Sequence, residues 1–279
     1  MHHRHDACDG LRPFGDETEL IAWQIRHKAE TASTNLDARA GAHGDVFTAD
    51  FQTAGRGRLD HKWLSPPGTN LMMSVVLSVE GLPPEQVATL PLVVGLAVAQ
   101  GLSPFISTLS RGLSPRLKWP NDVLVADRKI AGILCERQGD CVIAGIGVNV
   151  GQKDFPPEIA KKSISLANIA AGNGACPQRV RDEILVQIDG LYERWRTQGF
   201  SAVYPDIVAL DYLKGRRLSV RQTDDDPVPV SGLCEGIAED GSLTVDGKGI
   251  YAGEAHVLRM EDQSSINQEE TSFCKSKCY

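Results

Sequence analysis

The sequence predicts an α/β (α+β) chain built in two parts, and three observations lead there. Strand-like period-two runs and helix-like runs are interspersed through the first two thirds. One long amphipathic helix over residues 178–198 follows, and beyond Phe200 only short strands and turns remain. With 279 residues and 42% hydrophobic content, the chain can bury one large core and a smaller one.

Taken in order, Thr34-Asn35-Leu36-Asp37 has the hydroxyl-x-x-acid spacing of a capping box, so a short helix is predicted there, with Ser33 at its amino end and a stop around Gly41 to Gly44. Residues 45–53 alternate as a strand that ends near Gln52. Asn70 to Val79 is apolar and β-branched, the composition of a buried strand, and Pro84 to Gly101 reads as helix with proline near its start. From Arg116 the pattern is hairpin-like: Leu117 to Trp119, Val123 to Val125, a turn at Ala126-Asp127-Arg128, Ile130 to Glu136 and Cys141 to Val150.

Val180, Ile184, Ile188, Leu191 and Trp195 recur at helical spacing and mark the buried stripe of the long helix. Short strands are then expected at Arg217 to Arg221, Val228 to Val230, Leu233 to Ala238, Leu243 to Val245 and His256 to Arg259, with an Asp240-Gly241 turn. This suggests a small closed β-barrel. The expected division is a flexible start over 1–20, a main domain over 21–208, the barrel over 209–261 and a polar tail over 262–279.

A net charge of −7 and a pI near 5.5 argue against a broad nucleic-acid surface, so a cation cluster should be site-like. The sequence shows no uninterrupted apolar run of membrane length and no leader segment, and the expected location is the cytoplasm, without membrane attachment. Seven scattered cysteines do not write a disulfide framework. His2, His3, His5 and Cys8 at one end, with Cys274 and Cys278 at the other, lie in polar termini without a second paired cluster, so no metal ligand is assigned. There is no P-loop and no Gly-x-Ser-x-Gly elbow, and Gly145-Ile146-Gly147 runs into strand sequence rather than opening a nucleotide-binding helix.

Gly55-Arg56-Gly57-Arg58 is the strongest chemical signal. Glycines let the backbone approach a ligand and present its N–H groups, while Arg56 and Arg58 supply permanent planar donors for carboxylate or phosphate. On spacing alone the loop reads equally as an exposed basic turn. Lys118, between Leu117 and Trp119, is either a surface lysine or a buried cation needing an anionic partner. Asn121 and Asp122 after Pro120 suit a turn, whereas Asn149 at a strand end is placed to line a site.

In combination these segments resemble the biotin protein ligases. The matching elements are Ser33-Thr34-Asn35; Gln52 with the run Thr53 to Arg58 and Trp63; Lys118-Trp119-Pro120-Asn121-Asp122; Lys129 to Leu134 with Glu136; and Gly145 to Asn149, in order. The resemblance implies a mixed β-sheet with helices on one side, like class II aminoacyl-tRNA synthetases, plus a small SH3-like barrel. It implies that biotin and Mg-ATP, with Mg2+ as cofactor, form biotinyl-5′-AMP. A lysine on a biotin carboxyl carrier domain of a carboxylase would then take the biotin.

By the same resemblance, Ser33, Thr34 and Gln52 bind the ureido ring, with Asn35 in the same segment. Gly55, Arg56, Gly57 and Arg58 order over the biotin tail and the adenylate phosphate. Lys118 bridges the attacking carboxylate and the α-phosphate, Lys129 and Asn149 lie on the nucleotide side, and Gly132 is a further binding residue. Lys118, Arg56 and Arg58 are thus the expected catalytic residues. Dimerisation is a family option.

Two departures stand out. The loop continues as Leu59-Asp60-His61-Lys62, where many relatives repeat the Gly-Arg pair, which sets His61 where an arginine often sits. The residues before Ser33 are too few and insufficiently basic for the DNA-binding module of the bifunctional members, so a monofunctional ligase without DNA is expected. Two other functions fit parts of the sequence. A lipoate or octanoyl ligase of the same fold would lack Lys-Trp-Pro-Asn-Asp, and a non-catalytic biotin-binding protein is separated by ATP-dependent pyrophosphate release.

Overall fold

A computed structural model describes residues 20–58, 61–110, 112–169, 175–221 and 228–258. The terminal histidines and cysteines, and the Leu59-Asp60 departure, lie outside the described residues. A seven-stranded sheet contains β1 (Gln24–Thr31), β2 (Asp45–Gln52), β3 (Leu71–Ser78), β4 (Arg116–Lys118), β5 (Asp122–Val125), β6 (Arg128–Gln138) and β7 (Cys141–Val148), in the order β1-β2-β3-β7-β6-β5-β4. β1 runs parallel to β2 and every other pair is antiparallel, so the sheet is mixed, as the resemblance implies.

β1 escaped the sequence reading because it buries no face. It is an edge strand held by its backbone ladder, with Arg26 paired to Asp45 and Lys28 to Asp37. Charged side chains on an edge strand also discourage further strand pairing.

The helices are α1 (Thr34–Asp37), α2 (Pro84–Ala88), α3 (Leu90–Leu109), α4 (Pro157–Ala160), α5 (Leu166–Ile169), α6 (Pro177–Gln198) and α7 (Tyr204–Ala209). α3 and α6 cover one face of the sheet, and α6 buries all five stripe residues named from its spacing. The predicted helix end at Gly101 is corrected, because the helix continues through Pro104 to Leu109. A Cβ on Gly101 would lie 2.8 Å from Ile184 Cγ1 and 2.9 Å from its Cα, so this glycine marks the crossing of α3 and α6. Close helix approach explains it.

A second correction concerns apolar runs. Pro84–Thr108, spanning α2 and α3, is long enough to cross a membrane and holds an 18-residue stretch of mean hydropathy 1.6, yet that stretch is mostly buried in the core. Its scattered polar residues conceal the run in a literal reading.

The C-terminal strands are β8 (Arg217–Arg221), β9 (Val230–Ile237), β10 (Leu243–Val245), β11 (Lys248–Ile250) and β12 (Glu254–Val257), an antiparallel sheet ordered β11-β10-β9-β8-β12. The Asp240-Gly241 turn is present between β9 and β10, with Gly241 at φ +83°. β11 has only three residues and too little alternation to read, but a second Asp-Gly pair, Asp246-Gly247, signals it by making a two-residue hairpin with positive φ at both positions. The segment leading into this sheet is tied to β4: Leu117 N donates to Leu210 O and Tyr212 N to Leu117 O, both at 2.8 Å.

Opposite α3 and α6 the main sheet carries α1 and the segment around Trp63, whose ring lies over Gly147. Along β7, Ile146 joins the helix-side core, while Gly145 and Gly147 alternate to the open face. On β6, Ile133 faces the helices and Gly132 and Glu136 do not, so glycines leave a shallow floor in front of the sheet.

Candidate functional site

α1 closes one end of this floor, and its polar residues are buried there. The expected capping box is not formed. Ser33 is the N-cap by backbone conformation but makes no side-chain cap bond. Thr34 is the first helical residue, and its groups turn inward: Thr34 N donates to Gln52 Oε1 at 2.7 Å, with Oγ1 3.1 Å from the same oxygen. Ser74 Oγ lies 2.7 Å from Thr34 Oγ1 and 2.6 Å from Asn35 Oδ1. A hydroxyl beside a helix start is a cap only when no better tertiary partner competes for it.

Asn35 continues this chain by donating to Glu136 Oε2 at 2.7 Å. Its amide fills the space a Cβ on Gly145 would need. Glu136 Oε1 lies 3.2 Å from Arg56 Nη1 and 3.8 Å from Arg39 Nη2.

The Gly-Arg loop is a small hairpin against the sheet. Trp63 N donates to Gly55 O at 3.0 Å, Gly57 N to His61 O at 2.6 Å, and Arg56 bridges to Lys62. Arg58 points the other way, donating to Gly253 O at 3.2 Å beside β12 and lying 3.4 Å from Asn121 Oδ1. His61 Nε2 is 3.6 Å from Glu254 Oε2, so the departure residue meets a carboxylate of the C-terminal sheet.

Two compartments result. The first is a cleft of about 790 Å³ whose lining includes Gln52, Gly55, Arg56, Gly57 and His61, together with Leu64, Gln152 and Phe155, which carry no motif. Gln152 is fixed there by Asn70, whose Nδ2 donates to its Oε1 at 2.8 Å. The second is a charged group in which Lys118 and Arg58 face Asp122 and Glu254. Lys129 Nζ lies 2.6 Å from Asp122 Oδ1.

Trp63 is the partition. It lines the cleft, its ring covers Gly147 and Gly132, and Lys129 Nζ sits 6.0 Å from its centroid. Its buried Nε1 has no partner among the described residues. An orphan donor in an enclosed wall is a group awaiting an acceptor.

Burial pushes the Lys118 amine below its ordinary range, opposed by Asp122 and Glu254. Among the described residues the Lys118 ammonium has no hydrogen-bond or ion-pair partner at contact distance, although Asp122, its backbone neighbour on β5, and Glu254 stand near it. Burial likewise lowers Arg58, against the same two carboxylates. Asn149 differs: its Nδ2 donates to Ile164 O at 3.1 Å, with Lys129 O at 3.4 Å, so in this structure it ties β7 to the following loop. Ser33, Thr34 and Asn35 lie behind the cleft rather than in its lining. Glu254, Ser74 and the segment 152–156 had no local signal, since distant pairing alone brings them in.

An open mixed sheet with a glycine-floored cleft beside a cationic group suits a small molecule that carries negative charge. Residues 23–152 match the Biotin/lipoate A/B protein ligase family. A biotin--[acetyl-CoA-carboxylase] ligase of Mycobacterium tuberculosis is 33% identical over 276 residues, covering 90% of this chain and 98% of that protein. The bifunctional ligase/repressor BirA of Bacillus subtilis is 34% identical over 202 residues, and the match spans 68% of this chain but 60% of that protein. A biotin protein ligase from Aquifex aeolicus, solved with biotin and ATP, superposes with a TM-score of 0.72 at 29% identity, over 84% of this chain and 98% of that one. The chain belongs to the biotin protein ligases of this family.

Proposed function

We propose that the protein activates biotin with Mg-ATP and transfers it to a lysine of a biotin carboxyl carrier domain. The observation that carries this reading is the pairing of compartments across Trp63: a cleft of about 790 Å³, within the range of small-molecule sites, next to an amine that burial partly desolvates. The orphan Trp63 Nε1 between them fits an acceptor on a ligand that spans both.

In the first step a biotin carboxylate oxygen attacks the α-phosphorus and pyrophosphate leaves. Two anions must approach, and Lys118 with Arg58 supplies the countercharge in a partly desolvated place, where charge acts most strongly. Arg56 and the loop glycines hold the biotin tail. Thr34 and Gln52 order the ring end, because a site built to pair a polar ring rejects analogues that leave its groups unpaired. Mg2+ arrives with the nucleotide phosphates, and no protein ligand is assigned to it.

In the second step the carrier ε-amine attacks the acyl carbon and AMP departs. The same cationic group holds the adenylate phosphate during that attack. The partner is thus a carrier domain, and the reading needs neither DNA nor membrane. Biotin-dependent pyrophosphate release, compared with lipoate and octanoate, tests it. Release with biotin alone is the expected result, and equal release with lipoate would move the assignment to the lipoate branch.

A further inference from the structure

We propose that Glu136 is a positioning residue that ties Arg56 of the Gly-Arg loop to the buried Asn35-Ser74-Thr34 chain ending on Gln52, so that loop and ring end are registered together. The inference rests on the biotin-ligase reading for what occupies the cleft. It rests on geometry for the link itself.

The carboxylate has two arms. Oε2 accepts from Asn35 Nδ2 at 2.7 Å and Oε1 faces Arg56 Nη1 at 3.2 Å. A carboxylate only accepts, so Asn35 must turn its amine to Glu136 and its carbonyl to Ser74. Ser74 Oγ is then the donor to Asn35 at 2.6 Å, and Thr34 completes the line to Gln52. Ser74, Asn35 and Thr34 are buried, at 0%, 3% and 4% exposure, so water cannot replace a lost partner. Gly145 leaves no room for a side chain that would interrupt them. One charge at the end of the chain sets the direction of the side-chain bonds from Asn35 through Ser74 to the Thr34 hydroxyl, Thr34 N then donates to Gln52, and the same charge holds the loop.

The test uses the full chain with biotin-dependent pyrophosphate release and tryptic cleavage after Arg56 in ligand-free protein. Glu136→Gln is expected to raise the biotin KM about tenfold, leave kcat and the ATP KM within about twofold, and speed the cleavage. Glu136→Asp should recover part of both effects. Ser74→Ala should also raise the biotin KM, and in the double variant the two effects should combine to less than their product. An unchanged biotin KM in a Glu136→Gln protein that melts like the parent overturns the proposal, as does a fully multiplicative double variant. Should Glu136→Gln fail to fold, Ser74→Ala decides: equal increases in the biotin and ATP constants overturn it. A parent without biotin-dependent release removes the biotin reading instead, and the cleavage rate of Glu136→Gln still reports on the anchor, an unchanged rate counting against it.

Discussion

The indole N–H of Trp119 donates to the carbonyl oxygen of Gly241 at 3.1 Å, which fastens the turn carrying Lys118 to the C-terminal sheet. The C-terminal sheet therefore helps to set the position of Lys118. Trp119 is 3% exposed, so a phenylalanine there keeps a buried ring and removes only the donor. Trp119→Phe keeps most of the packing and leaves Gly241 O unpaired, which should cost about 1–3 kcal/mol in a urea titration. The ATP KM should rise in the same protein.

Lys118→Ala should fold and yet lose about 100- to 1000-fold in pyrophosphate release, the range seen when a preorganised transition-state donor is removed. The amine acts only while protonated, and burial lowers its pKa. Activity should therefore fall at a lower pH than an ordinary lysine would dictate. Glu254 raises that pKa, so Glu254→Gln should move the alkaline limb of kcat/KM further down the pH scale. A limb that stays fixed, or moves up, would detach Lys118 from the profile.

Gly147→Ala and Gly132→Ala should behave differently. A Cβ at Gly147 would lie 2.5 to 2.8 Å from three atoms of the Trp63 indole, a rigid group that must move as a whole. At Gly132 the nearest atoms, at 2.9 Å, are the far end of Lys129, which can swing away. The first variant should raise the biotin KM by about tenfold or more, equivalent to about 1.4 kcal/mol, and change Trp fluorescence. The second should stay within about threefold on both constants.

Ligand should protect the Gly-Arg loop from trypsin. Arg56 and Arg58 are held apart, by Glu136 and by Gly253, and a bound anion gives both a common partner. Cleavage after these residues should slow when biotin and ATP are present together. The rates are read by mass spectrometry, and equal rates with and without ligand would count against the loop as an anion clamp.

The cysteines should alkylate in a fixed order. Burial pushes the Cys135 thiol up to about 12 and is the main reason Cys234 rises to about 11, so neither offers thiolate at pH 8, whereas Cys176 is exposed. Brief iodoacetamide treatment and peptide mapping should show Cys176 labelled and Cys135 and Cys234 spared.

Elements with their own periodicity were legible: α6 buries the stripe its spacing marks, and β2, β3 and the hairpins β4 to β7 fall where alternation and apolar runs put them. β1 was not, since an edge strand exposed on both faces has no apolar pattern to read. The motif segments were legible as chemistry, because Gly-Arg-Gly-Arg needs no neighbour to be permanently charged and closely approachable. What Thr34 and Asn149 do was not legible. Their polar groups have several possible partners, and the choice was made by Gln52 and Ser74 in one case and by the carbonyl of Ile164 in the other.

Residue type and short spacing were enough for the α+β class and the family resemblance, and they marked Gly-Arg-Gly-Arg as a candidate anion clamp. The tertiary structure alone decided that Glu136 joins Arg56 to Asn35, that Trp63 divides the cleft from the Lys118 group, and that Glu254 from the C-terminal sheet enters that group. Local spacing fixes which way a side chain leaves its own strand or helix. It says nothing of what stands opposite, because sheet register and the docking of the C-terminal strands bring residues more than a hundred positions apart within hydrogen-bonding reach.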